Sequence, residues 1–175
     1  FGLAFALVHL DVFASFQLVD TPLYERYGSA ILDGEVPYRD FALEYPPGAL
    51  PVFAIPALAG EADFRSAFEA VHGFLGALLA VIVALALARL GASRERVLVT
   101  ACVVGLTPLL LGPVVLTRFD FWPAVLLALS LLAFVYERPR LALGVLAAAA
   151  TAKLYPLVVL PLALVHVARR YGSGP

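Results

Sequence analysis

Charged side chains in this mostly apolar chain are concentrated in residues 20–45, which hold six acidic residues and two arginines. Asp20 is the first of them, and a carboxylate held at a membrane surface within reach of a hydroxyl can act as a general base. The plainer interpretation is that Asp20 caps a short interfacial helix that runs through Tyr24, Tyr27 and Ile31. Residues 20–45 therefore contain the first candidate catalytic residues.

Lys153 is the single lysine among the twelve Lys and Arg residues. A lysine in an apolar zone is costly unless its ammonium snorkels to the interface or meets an anion. It precedes a Tyr-Pro-x4-Pro pattern, residues 155–161, that repeats residues 45–51. Two helices with proline in the first turn would present free N–H groups and positive dipole ends, an arrangement that binds phosphate. We therefore favour anion binding by Lys153 over snorkelling alone.

Two further places carry isolated charges. Arg118 and Asp120 precede Trp122, so Asp120 is either part of a site or only a helix N-cap, with Trp122 as an interfacial anchor. Asp11 lies inside the first apolar segment, and an intramembrane acid is a functional candidate. For Asp11 an inter-helix hydrogen bond is the plainer interpretation.

The surrounding chain is 62% hydrophobic and 14% charged, whereas soluble domains are about half apolar and about a quarter charged. These proportions predict an all-α integral membrane protein built as a polytopic transmembrane bundle. No basic tract suggests a nucleic-acid partner, and a single cysteine, Cys102, excludes a disulfide framework and a cysteine metal site. His72 has no partner at helical spacing and is interpreted as a packing residue.

Membrane helices should supply the framework that positions these groups, and each full span needs about 20 apolar residues. The predicted elements are a first span 1–19, a loop 20–45, a short half-span 46–59, and further membrane helices 66–88, 97–116, 121–136, 141–152 and 154–168. The half-span is too short to cross the bilayer, so it is predicted to be re-entrant or interfacial.

Orientation follows from the arginines, because short cytoplasmic loops are enriched in Lys and Arg. They cluster at residues 89–96, 138–140 and 169–170. With these clusters in the cytoplasm, the 20–45 loop, the connection 117–120 and Lys153 all fall on the extracytoplasmic side. The chain has no methionine and opens inside an apolar run, so we expect residues 1–175 to be a single partial transmembrane domain of a longer protein.

Four blocks of sequence follow one another in a recognisable order: Asp20-Thr21-Pro22-Leu23-Tyr24, Gly34-Glu35-Val36-Pro37-Tyr38-Arg39-Asp40-Phe41, Glu44-Tyr45-Pro46-Pro47 and Lys153-Leu154-Tyr155-Pro156. Their order resembles glycosyltransferase family 87, and the stretch 37–47 is the most specific part. That family contains polyprenol-phosphate-dependent mannosyl- and arabinofuranosyltransferases of the GT-C membrane fold. Members are usually about twice this length, so the resemblance implies an N-terminal half.

The resemblance implies an inverting transfer of a mannose-like or arabinofuranose-like sugar from a polyprenyl-phosphate donor to a glycan or lipid acceptor. The reaction would take place at the extracytoplasmic face of the cell membrane. Asp20 would deprotonate the acceptor hydroxyl as it attacks the anomeric carbon. Negative charge on the leaving phosphate would be stabilised by Lys153, Arg118 or Arg39.

Other residues would complete such a site. The secondary carboxylates for acceptor binding are Asp40, Glu44 and Asp120, and the aromatic residues of the substrate cavity are Tyr24, Tyr38, Tyr45 and Tyr155. Asp40 and Glu44 also offer hard oxygen ligands of the kind that suit magnesium or manganese. Two acids do not make a metal site, so a divalent cofactor stays open.

Two other classes of membrane protein are alternatives to a glycosyltransferase. A transporter or lipid flippase would make Asp11 and Lys153 face each other near the membrane midplane, whereas a transferase requires Lys153 and Asp20 to share the outer face. A non-catalytic membrane subunit would have no outward cavity. A Lys153 more than about two helical turns, roughly 11 Å, below the level of Asp20 would count against the transferase.

Overall fold

The computed structural model describes residues 1–8, 20–112 and 114–172, and all regular elements in these ranges are helical. The α-helices are α1 (Gly2–Leu7), α2 (Thr21–Leu32), α3 (Leu50–Ala57), α4 (Phe64–Arg89), α5 (Arg94–Leu111), α6 (Val114–Thr117), α7 (Phe121–Val135), α8 (Pro139–Ala152) and α9 (Leu160–Tyr171). The all-α prediction is confirmed for this part of the chain. Asp11 and most of the predicted first span lie outside it.

One described helix is long and apolar enough to cross a membrane: the stretch Glu61–Arg89, whose mean hydropathy reaches 2.4. It contains the predicted span 66–88. Shorter apolar helices occupy Pro47–Ala57, Phe121–Val135 and Pro139–Ala152, close to the predicted segments 46–59, 121–136 and 141–152. The last predicted segment, 154–168, begins as a 3-10 turn, Tyr155–Val159, and continues as α9.

Helices α4 and α7 form the centre of the bundle, because α7 packs between α4 and α8, and α5 lies along α4. Buried residues of α4 include Phe68, His72, Leu75 and Ile82, spaced so that they share one face of the helix. The ring of His72 stacks on Phe68 with 4.0 Å between centroids, and its Nδ1 lies 2.7 Å from the Phe68 carbonyl oxygen. His72 therefore packs inside the bundle, as predicted.

The segment predicted as a loop, residues 20–45, contains helix α2. Pro22 lies in its first turn, and Tyr24, Tyr27 and Gly28 bury one face against α3. A Cβ on Gly28 would lie 2.5 Å from the Phe53 carbonyl oxygen, so glycine allows the two helices to cross closely. Helix α2 is thus the short helix through Tyr24, Tyr27 and Ile31 that the plainer interpretation of Asp20 predicted, and it takes up the first part of the predicted loop.

Helix α5 is displaced from the predicted segment 97–116. It begins at Arg94, where the Ser93 side chain accepts a hydrogen bond from the Arg96 N–H at 3.3 Å and so caps the helix. It ends at Leu111 because Gly112 adopts a φ of +61°, a conformation that favours glycine.

Charged residues gather at the two ends of α7. At its C-terminal end Arg170 pairs with Glu137 at 2.5 Å, and the Arg89 guanidinium lies 5.5 Å from the centre of the Tyr136 ring. Arg118 and Asp120 lie just before its N-terminal end. Fifteen residues form the helix, so the two groups are about 22 Å apart. The charges that the arginine pattern assigns to opposite sides of a membrane thus lie at opposite ends of α7.

Candidate active site

Two ion pairs meet at the connection between α6 and α7. Arg118 Nη1 lies 2.5 Å from Asp20 Oδ2, and Lys153 Nζ lies 2.5 Å from Asp120 Oδ1. Because Arg118 and Asp120 are two residues apart in the chain, the pairs are neighbours. We call these four residues the ion-pair cluster. It brings together the predicted base, two of the three cations expected to bind the donor phosphate and one secondary carboxylate.

The side chains of the ion-pair cluster are 25% to 52% exposed, so solvent and substrate can reach them. Ion pairs at such exposure contribute little to stability, about 0 to 1 kcal/mol each. Their partners can therefore be exchanged at low cost. An incoming anion would meet two cations that are held in place by weak internal pairs.

Phe119 forms the floor of the ion-pair cluster. Its side chain is buried, and Lys153 Nζ lies 5.0 Å from the centre of its ring, within the range of a cation–π interaction. Tyr45 meets the same ring edge to face with 4.8 Å between centroids, and Phe53 does so at 5.2 Å. These aromatic contacts join the 118–120 connection to residues 45–53.

Tyr24 orients the carboxylate of Asp20. Its buried hydroxyl donates a hydrogen bond to Asp20 Oδ2 at 3.3 Å, and its ring stacks on Phe53 at 4.8 Å. Burial, reinforced by the neighbouring Tyr45 and Asp20, raises the pKa of the Tyr24 hydroxyl well above its usual range. Tyr24 therefore keeps its proton and acts as a hydrogen-bond donor.

Asp20 caps α2 through its backbone and not through its side chain. Its carbonyl oxygen accepts from the N–H groups of Leu23 and Tyr24, and the side chain makes no cap hydrogen bond. The carboxylate is thus left for Arg118 and Tyr24. The side chain of Asp120, at the N-cap of α7, likewise makes no cap hydrogen bond and points its carboxylate to Lys153. Both residues therefore occupy N-cap positions, as the plainer interpretation predicted, but neither side chain makes a capping hydrogen bond.

Lys153 is the C-cap of α8 and has an extended backbone, with φ −158° and ψ +146°. Its N–H still donates to the Ala149 carbonyl at 3.1 Å. The helix therefore stops at this residue and directs its side chain away from the α8 axis to the α6–α7 connection. The position of the ammonium is set by where α8 ends.

An apolar cavity of about 280 Å³ adjoins the ion-pair cluster. Its apolar walls are Leu79, Leu111, Val114, Val115, Phe121 and Ala124, and its polar lining residues are Arg118, Asp120 and Tyr155. Such a lining suits a molecule with a hydrocarbon part and a charged head, since the hydrocarbon meets only apolar walls. Tyr155 is the one predicted cavity tyrosine that lines this space.

Arg39 and Asp40 belong to a separate turn, residues 36–41. Their side chains pair at 2.8 Å, and the Val36 N–H donates to Asp40 Oδ2 at 2.7 Å. The guanidinium and this N–H lower the pKa of Asp40. Tyr38 has a φ of +67°, and its hydroxyl donates to the Tyr45 carbonyl at 2.5 Å. The structure thus pairs Arg39 with Asp40 and brings neither to Lys153.

Asp40 lines a second, open cavity of about 610 Å³ along the outer face of α2. Glu44 is exposed and lies beside Tyr27. Among the residues that the structure describes, no group of three or more His, Cys, Asp and Glu side chains could hold a metal ion. The possible magnesium or manganese site therefore gains no ligand set from this region.

Two contacts near the cluster were not expected from the sequence. The indole N–H of Trp122 donates to the Gly48 carbonyl at 2.8 Å, so Trp122 is more than an interfacial anchor. Gly48 in turn lies against Thr151 at the end of α8. A lone tryptophan beside Asp120 and a glycine directly after Pro46-Pro47 were the signals available, but neither indicates its partner.

In a comparison with protein-family models, the model of glycosyltransferase family 87 matches residues 43–172. The match includes Arg118, Asp120 and Lys153, and it begins after Asp20 and after the 36–41 turn. No match was found among the curated proteins, and none among the solved structures.

Proposed function

The chain belongs to glycosyltransferase family 87, and on this premise we propose that it transfers a sugar from a polyprenyl-phosphate donor to a glycan or lipid acceptor at the ion-pair cluster. The sugar is mannose-like or arabinofuranose-like. The observation that carries the proposal is an apolar cavity lined by one cation, Arg118, and by Asp120, which pairs with a second cation, Lys153. A lipid phosphate needs both features next to each other.

The donor lipid enters the apolar cavity with its phosphate at the edge lined by Arg118. Lys153 reaches the same edge through Asp120, which also lines the cavity. As the bond between the anomeric carbon and the phosphate oxygen breaks, the phosphate gains a second negative charge. Two cations beside the phosphate stabilise that charge more in the transition state than in the bound donor, and this difference accelerates the reaction.

Asp20 acts as the base on the acceptor. The acceptor oxygen bonds to the anomeric carbon, its proton passes to Asp20, and polyprenyl phosphate leaves from the opposite face, so the configuration inverts. A positioned general base contributes about 10²- to 10⁴-fold. When the donor phosphate draws Arg118 to itself, Asp20 loses its ion-pair partner, and its carboxylate is free to accept a hydrogen bond from the acceptor hydroxyl. Donor binding therefore prepares the acceptor site.

The proposed setting is a multi-pass protein of the cell membrane with the cluster on the extracytoplasmic side. Support comes from the arginines, which lie at the other end of α7 near Tyr136 and Glu137, as the positive-inside rule requires. The transporter alternative depends on Asp11, outside the described residues. Lys153 meets the 118–120 connection that also holds Asp20, which favours the transferase over both rivals.

The test is sugar transfer in membranes that contain the full-length parent protein. Radiolabelled polyprenyl-phosphate mannose and polyprenyl-phosphate arabinofuranose are the donors, and wild type is compared with Asp20→Asn and Lys153→Ala. Arg170→Ala is the matched control, since it breaks an ion pair of the same length at the other end of α7. EDTA in the wild-type assay tests a need for magnesium or manganese.

We expect transfer from one of the two donors by wild type and by Arg170→Ala, and a loss of at least about 100-fold in Asp20→Asn at equal protein level. Transfer from neither donor, or transfer that is indifferent to both cluster substitutions, would overturn the proposal.

A further inference from the structure

The position of Lys153 depends on contacts that lie outside the ion-pair cluster. Lys153 follows directly after the last turn of α8, where Ala149 and Ala152 are fully buried. The 3-10 turn Pro47–Ala49 packs on this end of α8. The turn and the end of α8 meet through small residues, so their separation is set by backbone contact.

Gly48 is the closest point of this contact. A Cβ at position 48 would lie 2.5 Å from Thr151 Oγ1, 2.6 Å from the Thr151 carbonyl carbon and 2.7 Å from the Ala152 nitrogen. Two of these three atoms belong to the backbone of α8, which cannot rotate out of the way as a side chain can. Any larger residue at position 48 must therefore push the end of α8, and Lys153 with it.

Trp122 holds the same glycine from the other side. Its indole N–H donates to the Gly48 carbonyl at 2.8 Å, and it lies two residues after Asp120, the partner of Lys153. The contacts form a closed ring that runs from Gly48 to the end of α8, through Lys153 to Asp120, and through Trp122 back to Gly48. The ring therefore links the position of Lys153 to those of Gly48 and Trp122.

We propose that Gly48 and Trp122 are positioning residues that set where the Lys153 ammonium lies relative to Arg118. Neither touches the reacting atoms, and both act through Lys153. The inference rests on the proposed function, in which Lys153 stabilises the leaving phosphate. The Pro-Pro-Gly turn, residues 46–48, would then support the end of α8 and so position the phosphate-binding lysine.

Displacement of a catalytic group by about 1 Å can cost on the order of 100-fold in rate. Gly48→Ala is therefore expected to lower kcat by about 10- to 100-fold, because Lys153 matters most when charge develops on the leaving group. The KM for the donor should change by less than about threefold, since its lipid part still fills the cavity. Trp122→Phe, which keeps a ring and loses the N–H, should give a smaller loss in the same direction.

The experiment measures transfer in the full-length parent for wild type, Gly48→Ala, Lys153→Ala and the double variant. Gly144→Ala is the matched control, because it is a glycine on α8 at which an added Cβ meets nothing within 4 Å. If Gly48 acts through Lys153, Gly48→Ala should cost less than about twofold in the Lys153→Ala background. Equal losses in both backgrounds would overturn the proposal.

A second readout does not depend on transfer. Amine methylation of Lys153 under native conditions, followed by mass spectrometry of its peptide, reports whether the ammonium is still held by Asp120 and Phe119. We expect Gly48→Ala and Trp122→Phe to speed the labelling of Lys153 by at least about threefold and Gly144→Ala to leave it unchanged. Unchanged labelling in the first two would overturn the positioning role even if transfer had failed with every donor.

The two failures can be told apart. Absent transfer in wild type would count against the proposed function, while the labelling pattern would still decide whether residues 46–48 hold Lys153. Normal transfer in wild type with full activity of Gly48→Ala would leave the function standing and remove the positioning role.

Discussion

Two segments of the chain share the Tyr-Pro-x4-Pro pattern and fold alike locally, yet the α-helix that follows is half buried in the first and almost fully exposed in the second. The first passes through the 3-10 turn Pro47–Ala49 into α3, and the second through Tyr155–Val159 into α9. In both, the second proline is the second residue of the α-helix, Pro51 in α3 and Pro161 in α9. The backbone of each segment follows from the prolines, which fit the first turn of a helix.

Their surroundings differ. In the first segment Ala49, Val52 and Phe53 are buried, and the segment packs on α2, α4 and α8. In α9 only Ala163 is buried, and Leu162 is 72% exposed. Tyr45 packs under the ion-pair cluster, whereas Tyr155 lines the apolar cavity beside it.

A short motif can determine the local backbone conformation without determining how deeply the segment is buried. Proline spacing sets the local backbone because it acts within one turn. Burial depends on which distant elements pack against the segment: α2 and α4 pack on the first copy, whereas the second copy packs on α8, as the first also does. The same pattern therefore builds the support of the site in one place and an outer helix in the other.

The largest expected effect on stability comes from removing the aromatic ring of Phe53, in the helix that follows the first copy of the pattern. Phe53 contacts Tyr24, Tyr27, Tyr45 and Phe119, so Phe53→Ala should lower the free energy of unfolding by about 3 to 5 kcal/mol. Leu162→Ala, in the exposed copy, should change it by less than about 0.5 kcal/mol. Thermal unfolding in detergent, followed by circular dichroism, compares the two. Equal losses of unfolding free energy in Phe53→Ala and Leu162→Ala would contradict the difference in burial between the two segments.

Replacing the last proline of the pattern by alanine should have a smaller effect on helix stability, of the same size in both copies. Pro51 and Pro161 are both exposed, so Pro51→Ala and Pro161→Ala change local backbone freedom and little packing. Each should destabilise its helix by about 0.4 to 1 kcal/mol, because alanine leaves the unfolded chain more conformations. Hydrogen exchange of the α3 and α9 amides measures each one. A loss confined to the buried copy would mean that its proline acts through tertiary contacts.

The smallest effect concerns the 36–41 turn, which the Tyr38 hydroxyl ties to the start of the first segment. Arg39 and the Val36 N–H lower the pKa of Asp40 from 3.8. Its contribution to the turn is therefore fully present above pH 3.8 and is lost as the pH falls through the lower value of the folded state. Exchange of the Val36 amide, corrected for its intrinsic rate, should be faster at low pH.

Asp40→Asn is the control for this titration, since it carries no ionisable group at position 40. Its Val36 exchange should already be fast near neutral pH and should show no further change on acidification. A Val36 amide that stays equally protected in wild type below the folded pKa would contradict the role of the Asp40 carboxylate.

Much of the architecture follows from the sequence by itself. The apolar run at 66–88 is long enough to predict α4, and the Tyr-Pro-x4-Pro pattern predicts that two further helices begin with proline in the first turn. Within residues 20–45, the short helix through Tyr24, Tyr27 and Ile31 was predicted as the plainer interpretation of Asp20, and α2 has this position. Its packing against α3 through Gly28 was not predicted. Charge alone does not tell a loop from an amphipathic helix.

For the candidate site, the sequence identified several of the residues but not their pairing. Asp20, Arg118, Asp120 and Lys153 could be selected by residue type, since charges are rare in an apolar chain. Their pairing could not be predicted, because 98 residues separate the first pair in sequence and 33 the second. Arg39 was selected on the same grounds but pairs with its neighbour Asp40. Gly48 and Trp122 carry no charge, and their importance depends on contacts that only the folded chain displays.

Asp20 and Asp120 provide the most direct test of the central claim, because each carboxylate pairs with one cation at 2.5 Å and only Asp20 is proposed to be the base. Single-turnover sugar transfer should be measured for Asp20→Asn and Asp120→Asn side by side, at saturating donor. The account predicts a loss of at least about 100-fold for Asp20→Asn and less than about tenfold for Asp120→Asn. Equal losses, or a larger loss for Asp120→Asn, would contradict it.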